Sequence, residues 1–350
     1  MKSTLLIPCA GRSSRYPGTR PKWMLTLPDG QLMIERAAQT LRPETIDRVV
    51  VGTLTEYEEL YGVRDILSRT ALADAEVVFL DKMTSGPAET ARLMIERAGV
   101  QGPIALKDSD SFFDLKEEAS GSYTAVLDLR LNPHVTSVGA KSFAVLNEQG
   151  LISDIVEKNV VSNFISVGLY GFSDASVFTN VYDDLKHRFT GGEFFISHVI
   201  SGAINAGELF QPALAANFHD VGTLEDWRRY SQDYSTFVLD LDGVVFVNHS
   251  KYFHPLWDEP DQPILENVET LLKLQARGAQ LIFMTARPDT YREKTEKALC
   301  ALGLKVHHLA MGCLHGRRYL VNDFAPSNPF PSAVAINLER NSNKLGALIG

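Results

Sequence analysis

Cysteine is scarce in this chain, with only Cys9, Cys300 and Cys313 among 350 residues. No two of them have metal-ligand spacing, and an odd, scattered set suits a reducing compartment better than a disulfide framework. Long apolar runs are missing as well. No stretch approaches the length that spans a bilayer. The run Leu5–Ile7 is too short, and too near Met1, for the hydrophobic part of a secretion signal. Positive charge is not in excess: the formal net charge is −9, which excludes a broad surface for nucleic acid or anionic membrane. There is no internal repeat and no low-complexity segment. These absences lead us to expect a soluble, cytoplasmic protein with neither nucleic acid nor membrane as partner.

What is present is an ordinary globular composition, 45% hydrophobic and 22% charged, on a chain long enough for two or three cored domains. Apolar periodicity predicts strands at 3–9, 48–52, 76–80 and 103–106, with helices between them; Ala91, Met94, Ile95 and Ala98 share one helical face. Strands alternating with helices indicate an open, mainly parallel sheet. From Tyr123 to Phe172 the pattern turns to strands joined by turns, with a hairpin tip at Asn147–Gly150. A second alternating unit then begins, with strands expected at 236–241, 280–284, 319–321 and 333–337 and helices between. The fold class is therefore α/β in two domains, residues 1–233 and 234–350, each an open, mainly parallel sheet flanked by helices.

The loop Gly11-Arg12-Ser13-Ser14-Arg15 follows a strand and precedes a helix, and Arg20 and Lys22 lie just beyond it. Small residues let backbone N–H groups approach phosphate oxygens, and fixed cations can hold a triphosphate and stabilise a departing pyrophosphate. From Pro8 through Leu25 this stretch resembles the signature of the sugar-phosphate nucleotidyltransferase family, in Gly11, Arg15 and Pro21-Lys22; Ser13 stands where that signature usually has glycine. Further matches follow in order. Gly86-Pro87-Ala88 is similar to the element that packs on the nucleobase, and Asp108-Ser109-Asp110 to the strand end carrying a metal-binding aspartate. Glu157-Lys158 is similar to the pair that holds sugar hydroxyls and the acceptor phosphate, Gly168-Leu169-Tyr170 to the strand beside the sugar, and Asp220-Val221-Gly222-Thr223 to the segment bearing a second metal-binding aspartate.

This resemblance, over roughly residues 3–230, implies a Rossmann-like domain that joins a nucleoside triphosphate to a phosphorylated small molecule, expected to be a sugar phosphate, with release of pyrophosphate. It implies Arg15 and Lys22 as catalytic, Ala10, Gly11, Ser13, Ser14, Gly86 and Asp108 as nucleotide-binding, Glu157, Lys158 and Gly168 as substrate-binding, and Asp110 and Asp220 as ligands of Mg²⁺, with Mn²⁺ as a substitute. The sequence leaves homo-oligomerisation open. The alternative for this part is a glycosyltransferase that uses Asp108-Ser109-Asp110 to hold a metal and a nucleotide-sugar diphosphate, but it leaves Pro21-Lys22 and Asp220 without a task.

In the second unit Asp240 and Asp242 stand two residues apart at a strand end, where side chains at i and i+2 share a face. Thr285 and Asp323 are expected to end neighbouring strands, so all four converge where open α/β sheets bind ligands. Residues 236–340 resemble the haloacid-dehalogenase phosphatase superfamily. The resemblance implies Asp240 as nucleophile, Asp242 as general acid/base, Thr285 as a phosphoryl-oxygen ligand, and Asp240, Asp242 and Asp323 around a Mg²⁺ ion. The lysine that family carries before its last aspartate is missing: between Val306 and Asp323 the basic candidates are Arg317 and Arg318, and Asn322 replaces a second acid. Phe246–Gln262 is too short for a large cap, so the site should be open. The alternative is an interaction module without catalysis. A bifunctional transferase–phosphatase would suit the making of precursors for a surface polysaccharide. His307 and His308 read as packing or surface residues.

Overall fold

The computed structural model describes residues 2–135, 138–189, 192–232, 234–248, 260–323 and 333–349. They form two compact units, Met1–Trp227 and Arg228–Gly350. The division falls within the helix Leu224–Gln232, which follows the Asp220–Thr223 segment directly.

The first unit is built on a ten-stranded sheet. β1 (Ser3–Pro8), β2 (Ile46–Leu54), β3 (Glu76–Leu80) and β4 (Ile104–Lys107) lie side by side in the order β3-β2-β1-β4, all parallel. Leu5, Leu6 and Ile7 are buried on both faces of β1, the continuous apolar run expected of a parallel strand covered by helices. The helix Pro87–Arg97 covers it, with Ala88, Ala91, Met94 and Ile95 turned inward.

The later strands complete the sheet. β5 (Ser111–Leu115) follows β4 after a tight turn, and β6 (Tyr123–Asp128) follows in turn. β7 (Ser142–Leu146) and β8 (Ile152–Glu157) form a hairpin, whose tip is held by Asn147 Oδ1 accepting the N–H groups of Gln149 and Leu151 at 3.0 Å each. β9 (Phe164–Phe172) runs antiparallel between β4 and β6, and β10 (Gln211–Asp220) pairs parallel with β6 and antiparallel with β5. The architecture is α/β with a large mixed sheet, parallel through its first four strands.

The second unit contains a three-stranded parallel sheet: β11 (Thr236–Asp240), β12 (Gln280–Met284) and β13 (His308–Ala310), in that order. The helices Leu265–Ala276 and Arg292–Ala301 supply Val268, Leu271 and Leu299 to its core.

Two expected strands are absent here. Residues 319–321 are irregular, with Val321 90% exposed, and 333–337 are irregular too. The third strand is β13, in which His308 pairs with Ile282, while His307 accepts the Leu281 N–H at 3.0 Å. The Tyr-Leu-Val triplet has strand composition, but it faces solvent and pairs with no strand among the described residues; short apolar runs carry little information without a partner. Most of the expected cap segment, 249–259, lies outside the described residues. Among the described residues no helix is long and apolar enough to cross a membrane.

Candidate active site

The loop after β1 is shaped by two fixed points. Ser13 takes a left-handed conformation, φ 50°, the region where glycine is usual, and its Oγ accepts the Lys22 N–H at 2.9 Å. The Tyr16 hydroxyl donates to the carbonyl of Val221, tying the loop to the end of β10. Ala10 is buried, while Gly11, Ser14 and Arg15 are exposed; Gly11 has open space beside its Cα, and its carbonyl accepts the Tyr57 hydroxyl at 3.0 Å. Lys22 opens a single 3₁₀ turn whose next two residues, Trp23 and Met24, are buried and anchor it.

The two aspartates come together through strand pairing. Ser111, the first residue of β5, lies opposite Asp220, the last of β10, and the Val221 N–H donates to the Asp110 carbonyl at 2.9 Å. A Cβ on Gly222 would stand 3.1 Å from Asp220 Oδ1, 3.2 Å from Asp110 Oδ2 and 3.6 Å from an Arg15 guanidinium nitrogen. Gly222 is therefore the residue that lets both carboxylates and Arg15 share one small space.

Each carboxylate carries a lysine: Lys22 pairs with Asp110 and Lys141 with Asp220. Burial would raise the Asp110 carboxyl, but Lys22, Lys141 and Arg15 outweigh it and hold the group below the usual carboxylate range. Asp108 goes the other way, raised by burial and by the charge of Asp110.

Behind this pair lies a buried ammonium. Lys107 is 1% exposed, and its Nζ donates to the carbonyls of Asp108 and Ser111 and to Ser111 Oγ at 2.7 to 2.8 Å. It pins the turn that presents Asp108 and Asp110. Gly168, φ 87°, passes so close that a Cβ would meet Asp108 Oδ2 at 2.6 Å. Gly86 precedes the helix Pro87–Arg97, where a Cβ would be 2.6 Å from the Phe194 carbonyl oxygen. Both glycines therefore have a packing reason within the chain itself.

Glu157 accepts from the hydroxyls of Ser142 and Ser197. Lys158, exposed and at φ 54°, sets its ammonium 4.4 Å from the centre of the Phe195 ring.

Among the described residues no three His, Cys, Asp or Glu side chains form a ready-made cation cage. The Asp110–Asp220 pair still fits Mg²⁺, because that ion is commonly held by one or two carboxylates together with substrate phosphates.

In the second unit Asp240 ends β11, and the Asp240 carboxylate meets Arg318 at 3.2 and 3.3 Å. Burial raises the Asp240 carboxyl, and Arg318 opposes the rise. Thr285 follows β12 but is fully buried, and its hydroxyl donates to Asp242 Oδ2 at 3.0 Å. Arg287, 1% exposed, grips Asp242 Oδ1 at 2.6 Å and Asp261 Oδ1 at 2.7 Å. A cavity of about 380 Å³ opens beside these residues, bordered by Asp240, Asp242, Asn248, His315, Arg318 and Arg340.

Asp323 is placed differently from expectation: it lies in the exposed, irregular segment 319–323 and not at a strand end. Asp242 accepts from Arg287 and Thr285 on both oxygens, so of the three expected aspartates it is the one most fully occupied by partners within the chain.

Sequence reasoning missed Lys107, Lys141 and Arg287. Lys107 and Arg287 each sit near a noted motif, and a charge close to a strand end was their one signal. Lys141 had none.

No protein-family model matches the chain, and neither does any curated protein. Solved structures do resemble it. A nucleoside-diphosphate-sugar pyrophosphorylase from Vibrio cholerae RC9 aligns over 64% of this chain and 98% of its own, with a TM-score of 0.56 and 23% identity. An inositol-1-phosphate CTP transferase from T. maritima aligns over 64% and 91%, at 0.51 and 18%. A UDP-glucose pyrophosphorylase, solved with UDP-glucose, aligns over 65% and 97%, at 0.51 and 17%. The aligned share equals the first unit in size, and at these identities the likeness establishes a shared fold.

Proposed function

We propose that residues 1–233 form a nucleotidyltransferase domain that joins a nucleoside triphosphate to a phosphorylated small molecule, a sugar phosphate by preference, with release of pyrophosphate. The observation that carries this reading is the meeting of Asp110, Asp220, Lys22 and Arg15 around Gly222. Two acids and two cations in one small space suit a polyphosphate with its counter-ion. Three structures of the same fold bear the names of enzymes that make such linkages.

The acceptor's phosphate oxygen attacks the α-phosphorus in line, and the bond to the pyrophosphate leaving group breaks. The acceptor oxygen is already ionised, so no strong general base is needed. The loop Ala10–Ser14 and Asp108 line the nucleotide's path, with Gly86 at the base. Lys22 and Arg15 stabilise the charge that moves onto pyrophosphate, and such preorganised charge is commonly the largest catalytic contribution. Glu157 and Lys158 orient the acceptor, with Gly168 beside it. Mg²⁺ or Mn²⁺, held by Asp110 and Asp220, would neutralise phosphate charge when bound. The lysine on Asp110 and the second acid at Asp220, both without a task in the glycosyltransferase alternative, each have one here.

The test is product analysis. ³¹P NMR of wild-type reactions should show a new phosphodiester-anhydride pair together with pyrophosphate. Orthophosphate alone, or glycosyl transfer from a nucleotide sugar, would contradict the reading.

For residues 234–350 we propose a phosphate-ester site in the cavity beside Asp240, with Asp240 as nucleophile and Arg318 orienting the phosphoryl group. One observation favours the alternative, a binding module. A carboxylate that accepts from Arg287 and Thr285 on both oxygens must give up a partner before it can move a proton, which Asp242 would have to do as acid/base. A bifunctional chain of this kind would suit precursor synthesis for a surface polysaccharide.

A further inference from the structure

Lys141 belongs to no motif, yet it touches both halves of the candidate site. Its ammonium pairs with Asp220 and lies 5.7 Å from the centre of the Phe218 ring. Its carbonyl accepts the Lys158 N–H at 3.0 Å, and the next residue, Ser142, donates its hydroxyl to Glu157. One short segment thus carries the acceptor-side pair on its backbone and hydroxyl, and reaches the cation-side carboxylate with its side chain. The ion pair stays within reach of a ligand, since the two side chains keep 22% and 25% of their surface exposed.

We propose that Lys141 is an exchangeable phosphate-binding residue. It neutralises Asp220 in the ligand-free chain and turns to the acceptor's phosphate when a divalent cation takes that carboxylate. The proposal rests on the transferase reading above.

The charges argue for exchange. Asp110 and Asp220 face one space and would repel each other if both were bare. Lys22 and Lys141 offset that repulsion. A divalent cation on the same oxygens would repel both ammonium groups at a few ångströms. A lysine suits the exchange, being a point charge on a flexible stem rather than a rigid fork. Released from Asp220, the side chain still springs from backbone that pairs with Lys158, on the side assigned to the acceptor's phosphate. No covalent bond changes in this step.

The test uses the full chain and two measurements. The first is Mn²⁺ binding without nucleotide, followed by the electron paramagnetic resonance of free Mn²⁺. Lys141→Met should bind Mn²⁺ about two- to fivefold more tightly than wild type, because a competing, partly exposed ion pair is gone. Lys141→Gln serves as the second variant should the first not fold.

The second is steady-state kinetics. The KM for the phosphorylated acceptor that supports wild-type turnover should rise about tenfold, the KM for the triphosphate should stay within about twofold, and Lys141→Arg should recover part of the loss. Unchanged or weaker Mn²⁺ binding overturns the exchange, and an equal rise in both KM values overturns the acceptor role. A wild type that releases no pyrophosphate with any substrate pair sinks the transferase reading and the acceptor role with it; tightened Mn²⁺ binding would then still support the exchange at Asp220.

Discussion

Asp110 takes its character from three cations. Burial alone would push its proton affinity up, yet Lys22, Lys141 and Arg15 keep it ionised well below neutral pH, ready to meet a cation or a cationic side chain. Gly222 makes that crowding possible. A methyl group at Gly222 would stand just over 3 Å from both carboxylates, in a backbone conformation that alanine can adopt. Gly222→Ala should therefore melt within a few degrees of wild type while losing roughly ten- to a hundredfold in turnover, since small displacements of positioned groups are costly. Unaltered turnover would mean that the carboxylates do not act together. Lys107 gives a second expectation. Burial lowers its ammonium from 10.5 to about 8. Between those values the unfolded chain holds a proton that the folded chain has shed, so stability rises with pH across that window and the penalty is constant below it. Urea melts of wild type should gain on Lys107→Met as pH rises above about 8. Parallel curves for the two proteins would show that Lys107 is not the group titrating.

At the scale of elements, much of the first unit can be read from its apolar runs. Glu76–Leu80 and Gln280–Met284 are strands over the ranges that periodicity predicts, and β1, β2, β4 and β11 differ only at their ends. The Asn147–Gly150 turn joins β7 to β8 as expected. Harder to read were features that depend on long-range pairing. Nothing local says that Ser111 will lie opposite Asp220, or that Lys141 will reach across from the start of a hairpin. The expected strand at 319–321 failed for the same reason, as its composition fits but it pairs with no strand among the described residues, and the placement of Asp323 at a strand end failed with it. The same segment also decides between the two arginines, because Arg318 is the one that meets Asp240. If Asp240 attacks phosphate esters, its raised carboxyl puts the acid limb of phosphate release above the ordinary carboxylate range. Removing the opposing charge should move that limb to still higher pH in Arg318→Ala and leave it in place in Arg317→Ala. Identical profiles for the two variants would remove Arg318 from the site.

At the scale of the whole molecule, the chain carries two candidate sites, one in each of its two compact units, and substitutions can address each alone. Asp240→Asn should abolish phosphate-ester hydrolysis and leave pyrophosphate release within about twofold, as expected if the two sites act independently. If wild type hydrolyses no phosphate ester while Asp240→Asn alters transferase kinetics, the second unit is a binding module. The central claim concerns the first unit, and one measurement reaches it most directly: pyrophosphate release from each nucleoside triphosphate against a panel of phosphorylated acceptors with Mg²⁺, for wild type beside Lys22→Ala. The account predicts release by wild type that needs both substrates, and a loss of about a hundredfold or more in a Lys22→Ala protein that folds normally. Near-normal release from that variant, or none from wild type with any pair, would contradict it.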